Sequence, residues 1–433
     1  MLIDVVKISY FVRIEEEKLT FVAFGMICEI KYKKKMKQLF TLIIILFSIC
    51  TLSYCQQNND STENKVFKQK KYTQDEYLNN RKIDINIKDT NIQQKIHALD
   101  CYFAKRVDSL GFNGSVLISY KGTPILEGYY GYSNYYTKNK LNKRSTFQIA
   151  STSKTFTSAA ILLLHQEGYL NIDDTLQKYF PTFPYKGITV RMLLNHRSGL
   201  PNYLNFSETY WAKKTIYMNN EDVLAQLQKF KPKSLAYPNT KFYYNNTNYV
   251  LLALIIEKAS GYSYKDFMHQ FIFNPLGMHD THVFDPKNQG KNEVLGYKGS
   301  SWKEDNIVYT DGVVGDKGIY STVLDLYKWD QVLYAGKLIK PEILNLAYTP
   351  QSFEKPGNKN YGLGWRMTDQ EDGTRIIYHN GWWHSFNSVF NRKISDGTCI
   401  IVLSNHYSQS VYKIKEIWDI LYPNQDVDMS SEQ

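Results

Sequence analysis

A serine hydroxyl three residues ahead of a lysine amine is the simplest pairing in this chain that could open an amide or ester bond. Residues three apart share one face of a helix. At a helix start the amine then stands beside the hydroxyl and, when neutral, can take its proton as the oxygen attacks a carbonyl. The spacing occurs four times, at Ser151/Lys154, Ser300/Lys303, Ser352/Lys355 and Ser410/Lys413. Only Ser151 opens an apolar helical run, just after Phe147-Gln148-Ile149-Ala150. The other three read as solvated pairs. His279, His282 and Asp285 hint at a metal site, but they fall in a loop after a helix, and a serine mechanism needs no metal. No metal or organic cofactor is expected. His196 and Ser198 suggest a second base and nucleophile, yet Arg197-Ser198-Gly199 before Pro201 reads better as a turn.

The elements that must position Ser151 can be read from periodicity. Ile92, Ile96, Leu99, Phe103 and Val107 recur at helical spacing. Gly114 to Tyr120, the turn Lys121-Gly122-Thr123, and Pro124 to Tyr132 read as a hairpin. Ser153 to Gly168 is a helix, apolar along Phe156, Ala159, Ala160, Leu162, Leu163 and Leu164. Further helices are expected at 189–195, 221–229, 247–259, 264–273 and 322–335, Thr322 and Asp325 marking the last start. Thr398 to Ser404 reads as a buried strand and Val411 to Leu421 as a closing helix. Strands at both ends with helices between imply one sheet built from the two ends and a helical lobe inserted into it. Ligand sites favour such lobe junctions.

The run from Phe147 to Thr157, with Ser151-Thr152-Ser153-Lys154 at its centre, resembles the nucleophile motif of the class C β-lactamase and D-alanyl-D-alanine carboxypeptidase family, which includes esterase-like serine hydrolases. Tyr244-Asn245-Asn246 is similar to that family's Tyr-x-Asn motif, and His379-Asn380-Gly381 to its Lys/His-x-Gly strand motif. Alone, Tyr-x-Asn carries little weight among 35 tyrosines, and would read as a helix cap. Order and spacing supply the weight, as do landmarks such as Leu193 to Pro201, Asn274 to Met278, and Gly318 to Thr322. The similarity runs from about residue 95 to 422. It implies an α/β (α+β) fold, class C β-lactamase-like, with a central antiparallel sheet flanked by terminal helices plus an inserted helical lobe. It also implies that Ser151 is acylated while Lys154 and Tyr244 share the proton traffic. Asn246 would hydrogen-bond the lysine and the substrate amide. His379 would help to bind a substrate carboxylate or polarise Tyr244. The backbone N–H groups of Ser151 and of Trp382, just past Gly381, would form the oxyanion hole. His379 stands where relatives often have lysine, and Trp382-Trp383 where they often have small residues. The two indoles would narrow the cleft, give it an aromatic wall, or serve structure alone.

The chain of 433 residues carries 52 Lys+Arg and 42 Asp+Glu, a net charge of +10, of which the first 55 residues supply +3. The positive charges are scattered and form no nucleic-acid face. Met36-Lys37-Gln38, an apolar run from Leu39 to Cys50 and Ser53-Tyr54-Cys55 read as a secretory signal, too short to span a membrane. The 35 residues before Met36 fit no signal, and Met36 reads as the true start. Cys55 admits two readings, a lipidated cysteine or the residue before ordinary cleavage; bulky Tyr54 favours the second. A lipid anchor there would be the one membrane attachment. Of five cysteines only Cys101 and Cys399 lie beyond the leader, and they read as separate buried thiols. The expected organisation is therefore residues 1–55 leader, 56–90 polar tether, 91–425 hydrolase domain and 426–433 disordered tail, with the product exported to periplasm or cell envelope. Two classes of function fit: a serine hydrolase of D-amino-acid peptides (peptidoglycan-derived ones among them), β-lactams or small esters, or a penicillin-binding-type sensor that turns over slowly or not at all.

Overall fold

A computed structural model describes the strands Phe11–Glu15, Lys18–Ala23 and Met26–Lys31, and residues 66–69, 73, 74, 76, 85–288, 290 and 292–429. The three N-terminal strands pair as an antiparallel meander, with Phe11 opposite Val22 and Lys18 opposite Lys31. The signal-like run from 36 to 55, Cys55 included, lies outside the described residues, as do 430–433. Residues from Val66 onward form a second compact unit, and the site lies in it.

That unit is built on a seven-stranded antiparallel sheet. In chain order its strands are β1 (Gly114–Tyr120), β2 (Thr123–Tyr130), β3 (Lys359–Tyr361), β4 (Arg366–Asp369), β5 (Arg375–Trp383), β6 (Phe386–Lys393) and β7 (Thr398–Ser404). Across the sheet they run β3-β4-β5-β6-β7-β1-β2, so the two ends of the domain meet where β7 pairs with β1, Ile400 opposite Ile118 and Val402 opposite Val116. The β1–β2 turn places Lys121 at φ +49° and Gly122 at φ +82°, the backbone that a tight two-residue hairpin requires.

One face of the sheet is covered by α1 (Thr90–Leu110) and the terminal helix, here α6 (Lys415–Leu421). Leu99, Phe103 and Trp418 pack there against Val116, Ile118, Ile400 and Val402. Asp89 caps α1, its carboxylate accepting from the backbone N–H of Asn91 and Ile92, and Gly111 ends it in the left-handed region. The opposite face buries Cys399, Ile401 and Leu403 together with α2 (Ser153–Gln166) and α5 (Val323–Ala335). Between β2 and β3 the chain builds the helical lobe around α3 (Asn220–Phe230) and α4 (Asn246–Ser260). The α4 residues Tyr249 to Ile256 are all buried, which makes α4 a central helix rather than an amphipathic surface one.

Four expectations need correction. The closing helix begins at Lys415, behind a short turn at Gln409–Tyr412, not at Val411. Phe67, inside the stretch read as tether, is buried against Tyr169, Phe267 and Phe271. Residues 426–429 are docked rather than free: Val427 is buried and the Asp428 N–H donates to Gln370 Oε1 at 2.9 Å. Cys399 is buried as expected, but Cys101 is exposed; both are free thiols.

Candidate active site

Ser151 sits in a tight turn, Ala150–Thr152, at the head of α2. Ala150 has φ +48°, a left-handed backbone that costs a residue with a Cβ about 1–2 kcal/mol, so the surroundings must hold it. They do so from two sides. Ser388 Oγ on β6 donates to Ile149 O at 2.7 Å, and Thr152 Oγ1 donates to His379 O on β5 at 3.0 Å. On the lobe side, Ile149 N–H donates to Ile319 O at 2.9 Å, and Ile319 N–H to Ser153 Oγ at 3.2 Å. Gly381 comes so close to this turn that a Cβ there would lie 2.4 Å from Ile149 O and 2.9 Å from Ser151 N. A side chain at 381 would therefore push β5 away from the nucleophile's amide, and Trp382 follows directly on that strand.

Lys154 is fully buried one helical turn on. Its Nζ donates to Ser151 Oγ at 3.0 Å and to Asp316 O at 2.7 Å. It also lies 5.1 Å from the Tyr244 ring centre and 5.6 Å from that of Tyr249. A tyrosine base needs cations near its phenolate, and Tyr244 has the Arg366 guanidinium as well, 5.3 Å from its ring. Asn245 caps α4, its side chain accepting from Thr247 N–H. This fixes Tyr244 just outside the helix and Asn246 in its first turn. The expected bond from Asn246 to Lys154 is not formed. Instead Asn246 Oδ1 is buried without a hydrogen-bond partner among the described residues, and Asn246 lines the cavity with Ser151.

His379 does not face the cleft as a cation. Its ring is buried, and partners fix its protons. Asn245 N–H and Asn248 Nδ2 both donate to His196 Nδ1 at 3.1 Å, so the His196 proton belongs on Nε2 and is donated to Tyr361 Oη at 3.2 Å. The Tyr361 hydroxyl then donates to His379 Nε2 at 3.2 Å, while His379 Nδ1 donates to Asn380 O at 2.8 Å. Every bond in this run is satisfied by two neutral imidazoles. Burial above all, with the charges of Lys154 and Arg366, holds both histidines well below the usual range. His196 also packs at a tilt against Tyr244, ring centres 4.4 Å and planes 42° apart. Ser198 is a buried turn residue, accepting from Leu200 N–H and donating to Asn248 Oδ1.

The two tryptophans have parted roles. Trp382 is 60% exposed and lines the cavity. Trp383 Nε1 instead donates to buried Asp311, and Lys317 Nζ lies 4.8 Å from its ring centre. Lys317 donates to Tyr203 Oη at 2.7 Å, and Tyr203 donates to Asp316 Oδ2 at 2.9 Å. This buried network fixes the loop whose Asp316 carbonyl holds Lys154. The acids near His279 are engaged in ion pairs, Asp280 with Arg144 and Asp285 with Lys265, and His282 contacts Glu293.

Ser151, Tyr244, Asn246, Gly381 and Trp382 therefore share one cavity of about 340 Å³. Arg366, Thr368, Tyr378 and Asn380 line it too; sequence reading passed over Arg366. The signal lay in the alternation of apolar Trp365 and Met367, which join the hydrophobic core, with polar Arg366 and Thr368, which line the cavity. The arrangement supplies a serine oxygen, an adjacent amine, a phenol between two cations, and an open acceptor for an amide N–H. That set is suited to forming and breaking an acyl-enzyme ester.

Comparison with known proteins agrees with this geometry. Residues 99–421 match the family described as Beta-lactamase. Penicillin-binding protein 4* of Bacillus subtilis is 34% identical over 343 residues, covering 75% of this chain and 76% of the relative. The octameric penicillin-binding protein homologue from Pyrococcus abyssi superposes with a TM-score of 0.66 at 25% identity, covering 76% of this chain and 78% of that one. The D-amino acid amidase of Ochrobactrum anthropi shares the fold, with a TM-score of 0.62 at 24% identity over 77% of this chain and 98% of its own. With three quarters of its length matched and its motif residues gathered around one cavity, the chain belongs to the β-lactamase family, the serine hydrolases that include the penicillin-binding proteins.

Proposed function

We propose that the protein is an exported serine hydrolase that opens amide or ester bonds of D-amino-acid peptides, β-lactams or small esters through an acyl-enzyme on Ser151. The observation that carries the reading is the 3.0 Å contact between buried Lys154 Nζ and Ser151 Oγ in a cavity shared with Tyr244. Lys154 or Tyr244 takes the hydroxyl proton as Ser151 attacks, and returns it to the leaving group. The Ser151 and Trp382 N–H groups receive the developing oxyanion; one such donor is worth about 3–4 kcal/mol in other enzymes. Asn246 Oδ1 accepts from the substrate amide. A penicillin-binding relative supports β-lactams as acylating agents, and the basic and apolar run from Met36 to Cys50 supports export.

The test is a time course of intact mass with benzylpenicillin. A Ser151 adduct that clears with hydrolysis of the drug identifies a β-lactamase. One that persists identifies a peptidase or a slow penicillin-binding sensor. Absence of any adduct from penicillin, with labelling by an ester probe, confines the activity to esters and neutral amides.

A further inference from the structure

Between Asp222 and Glu257 the chain carries no acidic residue, yet Lys229, Lys231, Lys233 and Lys241 fall in that interval. All four are exposed. The same segment, running from the end of α3 towards Tyr244, shows Phe230, Leu235 and Tyr237 to solvent, Tyr237 at 83%. The loop before β3 adds Phe353, 78% exposed, and an exposed Lys355. Tyr237 and Phe353 are the two most exposed large apolar side chains among the described residues.

One guanidinium joins the two loops. Arg197 donates from Nε to Asn239 Oδ1 and from Nη2 to Asn239 O, both at 2.9 Å, while its Nη1 pairs with Glu354. Tyr237 stands two residues from Asn239, and Phe353 beside Glu354, so both rings belong to one patch. The pairing also neutralises Glu354, the one acid between Pro350 and Asn358. The backbone that presents Tyr237 is fixed. Leu235 N–H donates to Gly199 O and Asn239 N–H to Arg197 O, each at 2.8 Å, and Tyr185 Oη donates to Pro232 O at 2.6 Å. Gly199, at φ +69°, lies too close to Ala236 O to admit a Cβ. A rigid loop therefore holds Leu235 and Tyr237 out in water, and clustered exposed apolar groups of this kind mark an interaction surface.

The chemistry of the patch selects the partner. Lys186 and Lys233 stand with Leu235 and Tyr237 around a cavity of about 540 Å³, which places two cations where a headgroup phosphate fits. A soluble polyanion would need the cations alone. Bulky apolar side chains that project among lysines match a bilayer, where the rings enter the interface and the ammonium groups stay with the phosphates. Tyr237 is seven residues ahead of Tyr244, at most about 25 Å along the chain, so the patch belongs to the same side of the lobe as the mouth of the Ser151 cavity.

We propose that this rim is a peripheral membrane surface: Leu235, Tyr237 and Phe353 enter the interface of an anionic bilayer while Lys186, Lys231, Lys233 and Lys241 hold its phosphates. The attachment is separate from any anchor at Cys55, and it does not depend on the serine hydrolase reading.

The test measures partitioning of the full chain onto vesicles of phosphatidylcholine with about 30% phosphatidylglycerol, by co-sedimentation across a lipid titration. Wild type is compared with Tyr237→Ser/Phe353→Ser and with Lys231→Gln/Lys233→Gln/Lys241→Gln. Residues 1–55 are common to all three, so the ratio of partition coefficients reports the patch. The substituted side chains are exposed, and an unchanged urea midpoint checks the fold of each variant. The lysine variant should bind about 100-fold more weakly, since each lysine at an anionic surface strengthens binding about fivefold. That difference should shrink in about 1 M salt. The Tyr237→Ser/Phe353→Ser variant should bind at least about 10-fold more weakly. Either ratio close to one would overturn the proposal. An aromatic ratio of one with wild type that polyphosphate strips from the vesicles would make the partner a soluble polyanion. Self-association of the wild type that Tyr237→Ser/Phe353→Ser abolishes, with equal vesicle binding, would make it a second copy of this chain.

Discussion

Two strands of one sheet, β7 and β5, are built on opposite principles. β7 is apolar from Cys399 to Leu403 and buried on both faces, with Ile401 and Leu403 against the lobe side and Ile400 and Val402 against α1 and α6. Such a strand reads as an unbroken hydrophobic run. β5 starts the same way with Ile376 and Ile377, then turns polar at His379 and runs past its neighbour with an open edge. Beside that edge lie the left-handed Ala150, an Asn246 oxygen with no hydrogen-bond partner among the described residues, and a buried lysine. Local rules hold where the sheet secures stability and break where it meets the nucleophile, as expected when strain and open hydrogen-bonding groups collect at functional sites.

Substitutions on the two strands should separate cleanly. The largest effect belongs to the cleft: Lys154→Met should slow Ser151 acylation by about 10²–10⁴-fold, the range for losing a positioned base, measured by stopped-time intact mass. Gly381→Ala comes next, because its Cβ would lie 2.9 Å from Ser151 N. Displacing β5 from the oxyanion site should cost about 10²–10³-fold in acylation rate per folded molecule, along with a lower urea midpoint, because Ile149 O at 2.4 Å is backbone and yields only if β5 or the turn moves. On β7 the pattern reverses. Ile401→Ala should lose about 2–5 kcal/mol of unfolding free energy while acylation per folded molecule stays near wild type. Should Ile401→Ala cut the specific acylation rate as deeply as Gly381→Ala, the contrast between the strands would be lost.

A smaller effect concerns pH. Unfolded, each histidine gains a proton near its ordinary value of about 6.5; folded, His196 and His379 do so only well below it, chiefly because they are buried. The unfolded state then binds more protons, so the stability present above about pH 6.5 is lost as pH falls, at up to about 1.4 kcal/mol per pH unit for each ring. Urea unfolding at pH 7.5 and 5.5 should show a steeper acid loss for the wild type than for His379→Gln. Equal losses would contradict two neutral, buried rings. The least effect is expected at Ala150→Gly, which relieves the φ +48° backbone and should alter stability by no more than about 1 kcal/mol.

What the sequence shows and hides follows from how far apart the partners lie. Ser151 and Lys154 are legible because three residues on a helix place them together, and the β1–β2 hairpin and β7 because their patterns are local. β6 was missed although all eight of its residues are buried. Asn387, Ser388 and Arg392 interrupt its apolar pattern. Each is satisfied by a partner that is near only in the fold: Tyr412 Oη at 2.7 Å, Ile149 O at 2.7 Å and Asp330 Oδ1 at 2.5 Å. The same holds for His379, read as helping to bind a substrate carboxylate or to polarise Tyr244; in the structure its buried ring has Tyr361 as a partner and the charges of Lys154 and Arg366 nearby. Motif order placed His379 at the site but could not report its protonation, which depends on neighbours far away in the chain.

The central claim, that Ser151 is an activated nucleophile, is tested most directly by reacting the full chain with a fluorophosphonate ester and mapping the label by peptide mass spectrometry beside Ser151→Ala. The account predicts one label per chain, on Ser151, and none on the variant. A folded wild-type protein that takes no label, or a label that persists in Ser151→Ala, would contradict it.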